Sequence, residues 1–278
     1  MRIWCLLALS GCATAIGDGD DVASEPVTAD GSQVLRLITA EATTINPDAT
    51  ASEAGRTYSV VKDGMPDPPW ISSAHLAGAH ALAFHVPTDA SGHKQRIEYK
   101  IAHASDADGL HFDNARYSGF AFKLGSDPAP FLGSALIWQA WQGAPWGPPA
   151  SLKIVASSAP PYRLKLAIRN GSTGTDSTVP DIGLWSSAIV EPNTWYRVLI
   201  YLRPRPDGSG QIKLWIDGTK VLDWTGAIGY DPAGPDAVYD GLDLKNGIYQ
   251  PSANNGHTLY FDQIVLATTF AAATAAIE

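Results

Sequence analysis

The sequence predicts an all-β fold, a sandwich of two antiparallel sheets, and three observations carry that prediction. From Val34 onward short apolar runs follow one another, and none shows the long 3.6-residue period of an amphipathic helix. Turn signals separate the runs: Asn-Gly at 170–171, Pro-Asp-Gly at 206–208 and Asp-Gly at 217–218. The composition agrees, with 26 Gly and 20 Pro against only 17% charged residues. Many short strands without intervening helices pack as two face-to-face sheets. No internal repeat and no second domain boundary interrupts the pattern.

Residues 1–12 read as a leader. Arg2 precedes the apolar run from Ile3 to Leu9, and Leu9-Ser10-Gly11-Cys12 follows. The apolar run is too short to span a bilayer. The segment resembles a bacterial lipoprotein signal, in which Cys12 becomes the lipidated first residue; a plain signal peptide cut elsewhere is the alternative. Either places the chain outside the cytoplasm, secreted or lipid-anchored at an outer membrane or cell surface. Cys5 and Cys12 are the only cysteines, so cleavage before Cys12 leaves no disulfide and no thiolate metal site. Residues 13–33, rich in Asp, Gly, Ala and Ser, read as a flexible tether, and 34–271 as the β domain.

Within that domain the expected strands are Ala81–Val86, Gln95–Ala102, Tyr117–Lys123, Ala135–Gln142, Arg163–Asn170, Trp195–Leu202, Gln211–Ile216, Leu242–Tyr249 and Thr258–Leu266. The hairpin from Trp195 to Trp224 resembles those of the concanavalin-like β-jelly rolls, and Tyr260–Leu266 resembles their closing strand. That resemblance implies a concave substrate cleft without choosing a function.

The formal charge is −9, which argues against nucleic acid or an anionic membrane surface as a partner, so any membrane contact runs through the lipid anchor. Nine tryptophans in a turn-rich chain with a leader hint at carbohydrate handling. Three strands carry residues suited to chemistry. On Gln95–Ile101, alternation puts Arg96, Glu98 and Lys100 on one face: either a solvated sheet surface, or a cleft floor where Arg96 grips an anion with its planar fork. On Leu136–Gln142, Gln139 and Trp141 share a face, an amide donor beside a ring that can stack on a sugar. On Leu244–Gln250, Lys245, Gly247 and Tyr249 share a face: a cation, a gap where a polymer can approach the backbone, and a phenol that a nearby cation makes a better base. A fourth run puts Arg163, Lys165 and Arg169 together as a basic stripe able to hold a polyanion, or to protect an outer strand from edge pairing.

In order, Arg96–Lys100, Gln139–Trp141 and Lys245–Tyr249 resemble the Arg-x-Glu-x-Arg, Gln-x-His and Lys-x-Gly-x-Tyr strands of the jelly-roll polysaccharide lyases, a group that includes alginate lyases, glucuronan lyases and heparin lyase I. The resemblance covers about residues 55 to 270, and it departs at Lys100, which replaces an arginine, and at Trp141, which replaces a histidine. It implies β-elimination on a 4-linked polyuronate, an acidic polysaccharide. Tyr249 is then base and acid, Gln139 and Arg96 neutralise the sugar carboxylate, and Lys245 lowers the Tyr249 pKa and binds substrate. Glu98, Lys100, Trp141, Arg163, Lys165 and Arg169 line the cleft. No cofactor is required for this chemistry, and the enzyme is expected to act as a monomer. Such sandwiches often carry one structural calcium ion, for which Asp262 on the closing strand is the named ligand.

The missing histidine bears on the substrate. In D-mannuronate and D-glucuronate the C5 proton and C4 oxygen lie on one side, so a single tyrosine can serve both, whereas L-uronates call for a separate base. His85, expected to face outward from its strand, is the reserve base. A hydrolase is disfavoured because the Glu-x-Asp-x-x-Glu strand of the jelly-roll laminarinases is absent. A non-catalytic carbohydrate-binding lipoprotein is the standing alternative.

Overall fold

A computed structural model describes residues 34–278 except 65, 90, 127–129, 145, 172–178, 232–239 and 252–254. The leader, Cys12 and the tether of residues 13–33 lie outside the described residues.

The chain begins with β1 (Val34–Ile38), β2 (Thr44–Ile45), β3 (Ala51–Glu53), β4 (Arg56–Tyr58), β5 (Val60–Asp63) and β6 (Trp70–Ser72). It continues through β7 (Ala81–Val86), β8 (Gln95–Ala102), β9 (Leu110–His111), β10 (Arg116–Leu124), β11 (Ala135–Trp141) and β12 (Ala150–Val155). Then come β13 (Tyr162–Ile168), β14 (Asn170–Gly171), β15 (Ile182–Val190), β16 (Trp195–Arg203), β17 (Arg205–Ile216) and β18 (Thr219–Tyr230). β19 (Gly241–Gln250), β20 (His257–Ala267) and α1 (Phe270–Ile277) close it.

Two large sheets form the jelly-roll sandwich. A nine-stranded sheet has the order β14-β18-β17-β16-β10-β20-β7-β6, with β1 on β20; an eight-stranded sheet has the order β15-β13-β12-β11-β19-β8-β5, with β9 on β19. Alternation explains the core, because every second residue of each strand turns inward. Phe84 on β7 meets Tyr99 on β8 edge to face at 5.4 Å, which joins the two sheets. Trp138 on β11 is fully buried and donates its indole N–H to Ser118 Oγ on β10 at 3.0 Å.

The nine expected strands all form, with ends that move by a few residues. The Asp217-Gly218 turn joins β17 to β18 with both residues at positive φ (49° and 78°), as a tight two-residue hairpin requires. Asn170-Gly171 is not a turn: it forms β14, paired in parallel with β18. Of the strands of six residues or more, β12, β15 and β18 escaped the sequence reading, as did the short β1 to β6 and β9. In β15 Gly183 and Ser186 are exposed, and β18 mixes Thr, Lys and Asp into its alternation, so neither shows a clean apolar run. The helix α1 starts at Phe270 and runs past the expected domain end at 271. Thr269 caps it by accepting from Ala272 N–H, and its apolar side packs with Leu199 and Val265 of the nine-stranded sheet.

Candidate active site

Register places the three motif strands side by side in the order β11-β19-β8. Tyr249 lies opposite Arg96, Gly247 opposite Glu98, and Lys245 opposite both Lys100 and Gln139. Residues directly opposite share a face, so Arg96, Glu98, Lys100, Gln139, Lys245 and Tyr249 look the same way, out from the eight-stranded sheet. A bulge between Leu136 and Trp138 shifts β11, turning Ile137 and Trp138 into the core and leaving Leu136 beside Tyr249.

At the centre lies Glu98, fully buried, with both carboxylate oxygens accepting from Gln139 Nε2 at 2.7 and 2.9 Å. These residues sit on β8 and β11, with β19 between them, and they meet over Gly247. A Cβ on Gly247 would lie 2.2 Å from the Ile97 carbonyl oxygen, and its φ of +151° is one that L side chains rarely adopt. The glycine is therefore needed for the close packing of β19 against β8. Burial pushes the Glu98 carboxyl above its ordinary range, opposed by the nearby Lys245 charge and the Gln139 hydrogen bond.

Lys245 is 1% exposed, and its ammonium lies 3.9 Å from the centre of the Trp141 ring and 3.8 Å from Asp243 Oδ2. Burial lowers its pKa to about 8, with Glu98 and Asp243 pulling the other way. This corrects two expectations. Trp141 covers Lys245, so the lysine holds the floor of the site rather than binding substrate directly. Its ammonium also points toward Asp243, and along the strand it starts about 13 Å from Tyr249. The cation beside Tyr249 is Arg96, whose guanidinium lies 5.0 Å from the centre of the phenol ring.

Arg96 is in turn held by Asp63 on β5, to which its Nη2 donates, while its Nε lies 3.8 Å from Glu98. Lys94 reaches the same aspartate at 3.1 Å. Lys100 pairs with Asp243 at 2.7 Å, so it helps fix the site's edge. Asp243 also accepts from Ala104 N–H at 2.9 Å. Neither Asp63 nor Asp243 was singled out from sequence, because an isolated aspartate beside a strand carries no pattern. A partner for each cation on a largely buried sheet face was the only available signal.

The basic stripe lies on the same face, farther along the sheet. Arg163 is exposed, Lys165 half-buried, and Arg169 pairs with Asp181 at 3.1 Å. Lys153 on β12 joins them and was missed; its ammonium donates to Asp181, and burial lowers its pKa to about 8.

Two named residues fall elsewhere. His85 sits on β7 in the opposite sheet and shares a 3.0 Å hydrogen bond with Thr258 Oγ1, which removes it as the reserve base. Asp262 is buried rather than exposed, and its Oδ2 accepts from Leu76 and Ala77 N–H at 2.9 and 3.1 Å. Among the described residues no three His, Cys, Asp or Glu side chains gather in a group that could hold a metal ion. Trp146 stacks on Tyr230 at 4.7 Å as a packing anchor, and Trp185 packs partly buried against the core.

No curated protein matches the chain in sequence. Among solved structures, an endo-β-1,4-glucuronan lyase from the fungus Trichoderma reesei is 21% identical with a TM-score of 0.58, covering 77% of this chain and 91% of that one. Alginate lyase AlyC3 is 12% identical with a TM-score of 0.43, over 67% of this chain and 74% of that one. A botulinum neurotoxin serotype D/C binding domain is 9% identical with a TM-score of 0.51, over 87% of this chain and 50% of that one. A lyase and a toxin's binding domain on one fold make the family match decisive. Residues 67–265, well over half of the chain, match the family described as polysaccharide lyase, and the chain belongs to that family.

Proposed function

We propose that this polysaccharide lyase cleaves a 4-linked D-uronate polymer, glucuronan or polymannuronate, by syn β-elimination. Tyr249 takes the C5 proton and returns a proton to the C4 oxygen as the glycosidic bond breaks and the C4–C5 double bond forms. The charge that builds on the C6 carboxylate is met by Arg96 and Gln139, donors already oriented by Asp63 and Glu98. Lys245 supports the floor beneath Trp141.

The observation that carries this reading is the Arg96 guanidinium over the Tyr249 ring, a cation placed to favour the phenolate. The position of Trp141, where relatives often have a histidine, and the removal of His85 to the other sheet support one tyrosine serving both proton transfers. The leader and Cys12 fit an extracytoplasmic or lipid-anchored enzyme that meets its polymer outside the cell.

The test mixes the protein with glucuronan, polymannuronate and polyguluronate and follows ultraviolet absorbance of the unsaturated uronate. Glucuronan comes first, as the polymer named for the fungal structure. Turnover is expected on the D-uronate polymers, and comparable turnover on guluronate-only blocks sinks the syn mechanism. Retention without turnover on all three favours the carbohydrate-binding alternative.

A further inference from the structure

One row of side chains crosses the eight-stranded sheet from edge to edge. Asp63, Arg96, Tyr249, Leu136, Lys153, Lys165 and Ser186 each lie opposite the next in register. Leu136 has Tyr249 on one side and Lys153 on the other, so these two strands are about 10 Å apart, and Lys165 lies about 5 Å farther on. Beyond Leu136 the row meets a compact basic cluster. Lys153, 7% exposed, and Arg169 share the single carboxylate of Asp181. Lys165 beside them is half-buried, and among the described residues no carboxylate pairs with it.

Lys165 and Arg169 both disfavour the charge on Lys153, a like-charge crowding that a bound anion relieves. Asp181 ties two of the cations in place and leaves the third free to reach a ligand.

We propose that Lys165, backed by Lys153 and Arg169, forms a carboxylate-binding subsite for a uronate unit of the same polymer chain, displaced along the row from the unit cleaved at Tyr249. This rests on the polyuronate reading of the cleft and adds a direction to it: the polymer lies across the strands, running from Arg96 toward β13. An oligomer too short to reach Lys165 forgoes this contact, while a longer one gains a charge-assisted hydrogen bond.

The experiment compares wild type with Lys165→Gln on D-uronate oligomers of defined, increasing length, reading kcat/KM from the unsaturated product. The expected loss grows with length and reaches roughly 10-fold on oligomers long enough to span the row. A loss of the same size at every length, or none at any length, overturns the subsite. Lys153→Gln should repeat the trend; Lys165→Gln, which removes no ion pair, carries the conclusion if Lys153→Gln fails to fold. If wild type cleaves no polyuronate, the lyase substrate reading fails on its own terms. The subsite is then read from retention in gels containing the same polymers: weaker retention of Lys165→Gln supports it, and equal retention overturns it.

Discussion

Two halves of one sheet face carry similar numbers of cations and treat them in opposite ways. Around β8 and β19, Arg96 is held by Asp63, Lys100 by Asp243, and Lys245 lies between Glu98 and Asp243. Around β12 and β13, Lys153 and Arg169 pair with Asp181, while among the described residues no carboxylate pairs with Arg163 or Lys165. The first half is charge-balanced and mostly buried, which fixes each group's position. The second keeps Arg163 and Lys165 without a carboxylate among the described residues, which suits the polyanion proposed above for a chain of net charge −9. Precision sits where charges are matched, and affinity where they are not.

The sharpest way to break this contrast lies at the balanced half. Tyr249→Phe should cut turnover by ~10³–10⁴ while leaving polymer retention in place, measured by ultraviolet product formation and gel retention. Normal cleavage by this variant would remove Tyr249 as the base. Gln139→Leu should lower kcat by ~10²–10³ with a smaller change in KM, since a donor to developing charge acts mainly in the transition state. An effect confined to KM would make Gln139 a simple binding residue.

The halves should also differ in stability. Glu98→Ala leaves Lys245 buried beside only Asp243, and a loss of about 3 kcal/mol in chemical denaturation is expected. Lys165→Gln breaks no ion pair and should stay within about 0.5 kcal/mol of wild type. Equal losses would erase the distinction between a locked half and an open one.

The smallest effect is a pH dependence. Burial lowers both Lys153 and Lys245 to about 8, against 10.5 for an ordinary lysine. Between those values the unfolded chain holds protons on these groups that the folded chain has released. Their contribution to stability therefore rises with pH across about 8 to 10.5, the reverse of a lysine whose pKa is raised by a partner. Denaturation midpoints followed through that window should show Lys153→Gln losing part of the rise. Identical slopes would mean that Lys153 is not the titrating group.

Much of the site was legible because strand alternation alone assigns faces. Arg96, Glu98 and Lys100 share one face of β8, and Lys245 and Tyr249 share the matching face of β19, as their spacing predicted. What stayed illegible was distance. Spacing could not tell that Lys245 turns under Trp141 toward Asp243 while Arg96 takes the place beside Tyr249. Lys153 sat unremarked in Ala-Ser-Leu-Lys-Ile-Val, because a single lysine in an apolar run acquires meaning only from the strands on either side.

The sequence by itself determined the fold class and, outside the β11 bulge, the face each motif side chain uses, since alternation follows from a period of two along a single strand. Only the tertiary structure decided which charges meet. Strand order and register bring Asp63, Asp181 and Asp243 to their cations, place His85 on the far sheet, and bury Asp262 against a loop. Pairing between strands distant in the chain is fixed by the packing of the whole sheet, and no local pattern encodes it.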